Sequence, residues 1–193
     1  MSTAPRERLT ETQYLARERA AEEKHEYVNG EMVAMAGAKP RHNLLATNLT
    51  VCLGSRLRGG PCLTLNSDQR VHVSATGLYA YPDITVVCGH PEFRSDEPMV
   101  LLNPTLVVEV ASQSTGDYDR GAKFAHYRRL PSLGEYVVVS TVERRVEHFR
   151  RLETGQWLMT EYTEGAVALP ALGIAVPIDE IYADIERLPP EEA

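Results

Sequence analysis

Cysteine, lysine and long apolar runs are all scarce in this chain. Its three cysteines, Cys52, Cys62 and Cys88, are spaced neither as metal-ligand pairs nor as a disulfide framework. We therefore expect reduced thiols in a cytoplasmic protein. No apolar run approaches the roughly 20 residues that a membrane helix needs. The first residues, MSTAPRERLTETQ, lack the apolar core of a signal peptide.

Positive charge is also in short supply. The 20 Lys and Arg residues face 27 Asp and Glu residues, which gives a net charge of −7, whereas a general nucleic-acid binder would be basic. The charge is uneven, with +5 over residues 120–151 and −8 over residues 152–193. A solvated basic face beside a solubilising acidic end would explain this pattern. Only three of the basic residues are lysines, so each lysine is a candidate for a specific role: Lys24, Lys39 and Lys123.

Apolar periodicity predicts one mixed α/β domain with a central mixed β-sheet flanked by helices. The expected domain spans residues 1–193, with a core over about 10–160 and an acidic C-terminal extension over 161–193. Asn29-Gly30 between apolar pairs predicts a type I′ hairpin. Helices are expected over 10–23 with Thr10 as cap, over 41–57 and over 117–130. Strands are expected over 62–66, 69–73, 83–88, 105–111, 135–140, 145–151 and 157–163.

Two acidic residues interrupt the most apolar predicted strands. Asp83 follows Pro82 at the start of one strand, and Glu109 lies among valines in the next. A buried carboxylate is costly without a cation, and two adjacent carboxylates repel unless they share a proton or a metal ion. If the strands pair, a hard cation such as Mg²⁺ would satisfy both. The structural alternatives are a turn role for Asp83 and an arginine ion pair for Glu109.

Lys123 lies on the predicted helix that follows the Glu109 strand. Its ammonium is a compact charge that can reach a phosphate or polarise a water molecule. Metal, water and a cation are the requirements of metal-assisted phosphodiester hydrolysis. By itself Lys123 is weak evidence, because Asp119 four residues earlier is an ordinary helix-surface partner. The hypothesis therefore depends on Asp83, Glu109 and Lys123 coming together.

The motifs around these residues resemble a known nuclease superfamily. Pro82-Asp83 followed by Glu109-Val110-Ala111 is similar to the PD-(D/E)xK signature. A closer resemblance is to the Uma-two type of restriction endonuclease family, which implies a restriction-endonuclease-like core. The matching stretches, within about residues 10–160, are EKHEYVNGEMVAMAGAKPRHN, YPDITVV, NPTLVVEVASQSTGDYDRGAKFAHYRRLPSLGEYVVVS and RRVEHFRR.

The chain departs from the parent signature at the lysine position, which is Ala111 here. In the resembled family the lysine comes from the following helix, in the motif D-R-G-x-K, which ends at Lys123 in this chain. The loop reads Glu-Val-Ala-Ser-Gln, where the family usually has Glu-Val-Leu-Ser-Pro.

The resemblance also implies roles for individual residues. Asp83, Glu109 and the backbone carbonyl of Val110 would bind Mg²⁺ or Mn²⁺, and Lys123 would orient or activate the attacking water. Three further candidates are weaker. They are Glu31, His42 and, weakest, Glu26; an exposed strand charge and a helix-start histidine are the structural alternatives for the first two.

The leading hypothesis is a Mg²⁺-dependent endonuclease that acts on DNA, with phosphate contacts from the basic segment 120–151. A homodimer is expected, because two related sites cut both strands of a duplex most easily. One alternative is a non-catalytic binding or assembly module that keeps the fold, in line with the net acidity and Ala111. Another keeps the metal site but changes the substrate to RNA or a branched structure. No membrane partner is expected.

Overall fold

The computed structural model describes residues 8–190. Over these residues the chain forms two six-stranded mixed sheets, a two-stranded sheet and flanking helices. The mixed α/β class is therefore confirmed, but strands expected in one central sheet are divided between two. Residues 1–7 and 191–193, which belong to the predicted domain, lie outside the described residues, and the domain division stays a prediction.

The helices and strands have the following bounds. The helical elements are α1 (Glu11–Ala20), α2 (Pro40–Leu57), α3 (Gly116–Tyr118), a π-helical turn (Asp119–Lys123), α4 (Phe124–Tyr127), a 3₁₀ turn (Pro170–Leu172), α5 (Ile178–Ile181) and a second 3₁₀ turn (Ile185–Arg187). The strands are β1 (His25–Val28), β2 (Glu31–Ala34), β3 (Cys62–Asn66), β4 (Arg70–Val73), β5 (Leu78–Ala80), β6 (Ile84–Cys88), β7 (Phe93–Arg94), β8 (Glu97–Leu101), β9 (Leu106–Ala111), β10 (Glu135–Ser140), β11 (Val146–Arg151), β12 (Trp157–Tyr162), β13 (Ala166–Leu169) and β14 (Ile174–Pro177).

The N-terminal part of the chain follows its local signals. Thr10 caps α1 through a complete capping box with Gln13, although α1 ends at Ala20, before the expected end near residue 23. Asn29 (φ 52°) and Gly30 (φ 87°) adopt the left-handed conformation that a type I′ turn requires. The predicted hairpin is thus confirmed, and β1 and β2 form one edge of the first sheet, whose order is β2-β1-β5-β4-β8-β7.

The second sheet contains β9, which carries Glu109, and β6, which Asp83 directly precedes. Its order is β12-β11-β10-β9-β6-β3, with β9 and β10 parallel. All six residues of β9 and all six of β10 are buried, as expected for central strands. Residues alternate between two faces. Val108 packs on the face covered by α2, and Val107 and Ala111 pack on the face covered by residues 116–127.

The connection from β9 to β10 is the predicted third helix, but it is not a regular α-helix. Residues 116–127, which we call the helical segment, run through α3, the π-helical turn and α4. Tyr136 on β10 donates a hydrogen bond from its hydroxyl to the Asp119 carbonyl within the π turn, at 2.9 Å. Single π turns in helices often occur at functional sites.

The C-terminal elements cover the outer side of α2. Ile178, Ile181 and Tyr182 are buried with the leucines of α2 in one core cluster. The Tyr182 hydroxyl donates to the Ser140 carbonyl at 2.9 Å, which connects this region to the end of β10. Among residues 8–190, no helix has the length and apolar character needed to cross a bilayer.

The prediction of reduced cysteines is wrong for two of the three. Cys62 and Cys88 form a disulfide, while Cys52 is free and buried. The two bonded residues are direct partners in the antiparallel pairing of β3 with β6, with their Cα atoms 4.0 Å apart. Their separation of 26 residues gives no hint of this pairing. The cellular compartment stays a prediction.

Thiol labelling tests the disulfide directly. In denaturant without reductant we expect one cysteine per chain to react with iodoacetamide, namely Cys52, and after reduction all three. Intact mass spectrometry counts the added groups. Three modified cysteines without reductant would contradict the bond, and a Cys62→Ser/Cys88→Ser variant serves as the control because it should react once in both conditions.

Candidate active site

Asp83 directly precedes β6, and Glu109 lies on the adjacent antiparallel strand β9. In the pairing of β6 with β9, Ile84 is opposite Val108, so one further step places Asp83 opposite Glu109. The Asp83 Oδ2 atom accepts a hydrogen bond from the Val110 backbone N–H at 2.7 Å. Its Oδ1 atom lies 3.3 Å from Nε2 of His42, in the first turn of α2. Asp83 is therefore held on both oxygens, and Glu109 is its neighbour.

Glu109 points toward the helical segment and meets Lys123 there. It shares the face of β9 with Val107 and Ala111, which this segment covers. The Lys123 Nζ atom lies 3.0 Å from Glu109 Oε1, and the Tyr127 hydroxyl donates to the same oxygen at 3.1 Å. Both contacts orient the carboxylate through one oxygen, so the other oxygen can serve as a ligand.

Two further carboxylates surround the Lys123 ammonium. Glu26 on β1 places Oε1 at 2.9 Å from Nζ, and Asp119, one turn earlier in the helical segment, places Oδ1 at 3.9 Å. We call Glu26, Glu109, Asp119 and Lys123 the charge cluster. Each of its members is at most 9% exposed. Three carboxylates share one ammonium in a buried site, so the cluster has an excess of negative charge.

The pKa values in the cluster reflect this imbalance. Burial raises the pKa of Glu109 well above its usual value, and the nearby Asp83, Asp119 and Glu26 carboxylates add to the rise that Lys123 opposes. Burial likewise raises the pKa of Asp119. For Lys123, burial alone would lower the pKa, but Glu109, Glu26 and Asp119 outweigh it and hold the pKa well above the usual value. Lys123 is therefore a permanent cation at neutral pH.

The charge cluster lies at one side of a large open groove of about 1260 Å³. Small-molecule pockets span about 300–1,000 Å³, so this groove has room for a larger substrate. Residues of both sheets, of the start of α2 and of the loop after β9 line it. Its lining includes Glu26, Lys39, His42, Asp83, Asp119 and Lys123.

Most of the predicted site residues come together here. Asp83, Glu109, Val110, Lys123 and His42 all line the groove. An arginine partner for Glu109 is not found among the described residues, since its cation is Lys123. These placements agree with the roles expected for the residues, although the roles themselves stay predictions.

Glu26 takes the position that was expected for Glu31. Glu26 is the partner of Val33 across the hairpin, and both residues line the groove. Glu31 pairs with Val28 on the same face, two residues or about 7 Å further along the strand, and it does not line the groove. The alternation along the hairpin could have shown that the two acids share a face, but only the packing decides which one reaches Lys123.

Little of the basic segment 120–151 lies in the groove, so the phosphate contacts expected of this segment stay a prediction. Of its residues within the described chain, Lys123 alone lines the groove. Its other cations lie elsewhere, and several are ion-paired. The pairs are Arg120 with Glu147, Arg144 with Asp179, and Arg145 with Glu143 and Glu161.

A hard divalent cation fits the donor atoms of the site. Asp83, Glu109 and the Val110 carbonyl are oxygen donors, and the excess negative charge of the cluster favours a further cation. Within residues 8–190 no group of three or more His, Cys, Asp or Glu side chains is placed so that it could hold a metal ion. Mg²⁺ does not need one, because it usually keeps several waters and binds through one or two carboxylates plus substrate phosphates.

Comparison with known proteins gives consistent results. The uncharacterized protein sll1609 of Synechocystis sp. is 37% identical over 79% of this chain and 86% of its own length. The uncharacterized protein slr1290 of the same organism is 34% identical over 93% of this chain and 94% of its own length. A crystal structure of "a putative nuclease belonging to DUF820" from Anabaena variabilis covers 92% of this chain and 99% of that one, with a TM-score of 0.73 and 13% identity. The last likeness shows a shared fold.

A family-level match spans residues 11–178 and therefore includes both sheets and the charge cluster. It confirms the resemblance seen in the sequence motifs. The chain belongs to the Uma2 family, which is described as "Putative restriction endonuclease".

Proposed function

We propose that this chain is a metal-dependent endonuclease that hydrolyses phosphodiester bonds in DNA. The observation that carries the proposal is the position of the Lys123 ammonium, 3.0 Å from Glu109 on the strand next to Asp83. Two carboxylates, a fixed cation and an open groove are the parts that metal-assisted hydrolysis requires. Membership of the Uma2 family supports the nuclease class.

The residues have distinct parts in this proposal. Asp83, Glu109 and the Val110 carbonyl would hold Mg²⁺ or Mn²⁺. The bound ion would polarise the phosphate and supply an activated water. His42 and the Val110 N–H fix the orientation of Asp83, and Tyr127 fixes that of Glu109.

Lys123 acts as a fixed positive charge in this proposal. Its raised pKa keeps the ammonium protonated, so it donates hydrogen bonds and does not accept a proton. Glu26 and Asp119 hold it in place. It can therefore orient a water molecule or stabilise negative charge that develops on the phosphate.

A non-catalytic module remains the second candidate function. The buried ion cluster could serve the fold alone, because Glu109 already has a cation partner in Lys123. The excess of buried carboxylates favours the metal-dependent enzyme over the module, since one ammonium leaves the cluster negative. Metal binding separates the two candidates.

Metal binding should appear as thermal stabilisation. We expect Mn²⁺ or Mg²⁺ at 100 times its dissociation constant to stabilise the protein by about 2.7 kcal/mol. Asp83→Asn and Glu109→Gln should remove this shift, and Glu109→Gln should still fold because the amide keeps the size of the side chain and an oxygen that can accept from the Tyr127 hydroxyl. Differential scanning fluorimetry measures the effect. Glu31→Gln is the matched control, since Glu31 does not line the groove; absence of any shift in the wild type would favour the module.

Plasmid cleavage tests catalysis. We expect the wild type to nick or linearise plasmid DNA with Mg²⁺ or Mn²⁺ and to be inactive in EDTA. Asp83→Asn and Glu109→Gln should each lower the rate at least about 100-fold, the range seen when a group that stabilises the transition state is lost. Gel densitometry gives the rates. Cleavage that survives both substitutions would show that the site lies elsewhere.

The homodimer also stays a prediction, argued from the need to cut two strands. Light scattering should give about twice the chain mass of 21.5 kDa. A mass of one chain across the micromolar range would contradict it.

A further inference from the structure

The lysines of this chain have an unusual distribution. All three, Lys24, Lys39 and Lys123, line the groove, and none of the arginines in residues 8–190 does so. Lys123 is buried at the charge cluster. Lys24 and Lys39 are nearer to solvent: the Lys24 side chain is 39% exposed, and Lys39 lies in the exposed class. The groove therefore has a buried charge cluster and two accessible ammonium groups.

We propose that Lys24 and Lys39 bind backbone phosphates of duplex DNA, so that binding depends on charge and not on base sequence. This inference rests on the proposed function. Lys39 directly precedes α2 as its N-cap residue, and its ammonium has no hydrogen bond or ion pair within the described residues. Lys24 donates to the Ser67 carbonyl at 3.1 Å and pairs with Asp68, which is itself exposed. Both ammonium groups can exchange solvent or a surface partner for a phosphate.

The absence of sequence reading follows from the chemistry of the lining. Bases are read mainly by Arg or Lys at guanine and by Asn or Gln at adenine, and among these groups the ammonium of Lys is a point charge without the planar fork of Arg. The described lining has neither Arg nor Gln. Its two asparagines are engaged with backbone: Asn43 Nδ2 donates to the Ala38 carbonyl at 3.4 Å, and Asn66 Oδ1 accepts from the Asp68 N–H at 3.1 Å.

The lining also favours a duplex over a single strand. Proteins that bind single strands stack successive bases on aromatic side chains. Of the two tyrosines in the described lining, Tyr81 is buried, and its hydroxyl donates to Glu18 at 2.8 Å. Tyr118 is half-buried. One partly accessible ring does not form a series of stacking positions.

One exposed acid, Glu23, lies beside Lys24 in the lining and opposes phosphate binding there. Glu23 therefore offers a test in which the expected change in DNA affinity is opposite to that of the lysine variants. Removing the Glu23 charge should strengthen binding, while removing either lysine should weaken it. The buried carboxylates of the charge cluster are at most 9% exposed and are less accessible to the DNA backbone than the two lysines.

The experiment measures binding of the full chain to fluorescein-labelled duplexes of about 25 base pairs by anisotropy, in EDTA, at several salt concentrations. Lys39→Ala and Lys24→Gln should each raise the dissociation constant about 3- to 10-fold and lower the slope of log K against log salt by about one. Glu23→Gln should lower the dissociation constant. Arg58→Ala is the matched control, because Arg58 is an exposed cation at the C-terminal end of α2, the 18-residue helix that Lys39 precedes. Its dissociation constant should stay within about twofold of the wild-type value.

The outcomes decide the proposal separately from the proposed function. Unchanged binding by both lysine variants, a more than tenfold preference among duplex sequences, or tighter binding of single strands would each overturn it. Thermal melting of Lys24→Gln checks that the turn at Ser67 and Asp68 is intact. If this variant melts at a lower temperature than the wild type, the binding of Lys39→Ala decides the proposal. If binding follows the lysines but no metal supports cleavage, only the nuclease proposal fails. If cleavage requires Asp83 and Glu109 but the affinity for DNA is unchanged in both lysine variants, only this inference fails.

Discussion

The buried ammonium of Lys123 is the interaction on which the site depends. It lies among carboxylates from three different parts of the fold: Glu26 of the first sheet, Glu109 of the second sheet, and Asp119 of its own helical segment. Removing the Lys123 charge would leave these carboxylates buried without a cation, and breaking a buried ion pair in this way typically costs 3–5 kcal/mol. The cluster therefore fixes how both sheets and the helical segment meet at the groove.

Two tyrosines, Tyr127 and Tyr136, donate hydrogen bonds to residues of this cluster. The π-helical turn spans Asp119–Lys123, so both cluster residues of the helical segment lie at its ends. Tyr136 donates to the Asp119 carbonyl within this turn, and Tyr127 donates to the Glu109 carboxylate. The rings of the two tyrosines lie 5.6 Å apart in the buried core. The hydrogen bond from Tyr136 thus connects the irregular helical segment to β10. Glu109, the acid inside the otherwise apolar strand β9, has a second hydrogen-bond donor besides Lys123.

The distribution of charge reconciles the acidic composition of the chain with the nucleic-acid site that we propose. Several arginines of the basic segment are used in ion pairs outside the groove, such as Arg120 with Glu147 and Arg144 with Asp179. The groove instead holds the lysines, together with carboxylates that attract a cation. Net charge of −7 therefore describes the whole surface, whereas the local arrangement of Asp83, Glu109 and Lys123 determines the chemistry that the site can support.

Local pattern was enough to predict the hairpin, α1, α2 and the central strands, because alternation and capping are properties of neighbouring residues. The motifs also selected Asp83, Glu109 and Lys123, which lie close together in the structure, while their roles stay predictions. It did not predict the π turn or the division of the strands into two sheets. Nor did it predict the disulfide of Cys62 with Cys88 or the preference for Glu26 over Glu31. Each of these depends on which distant segments pair: β3 with β6, and β1 with the helical segment through Lys123. The sequence alone determined which residues could bind a metal ion or carry the cation of the proposed site. Only the tertiary structure decided which of them lie together in one buried charge cluster.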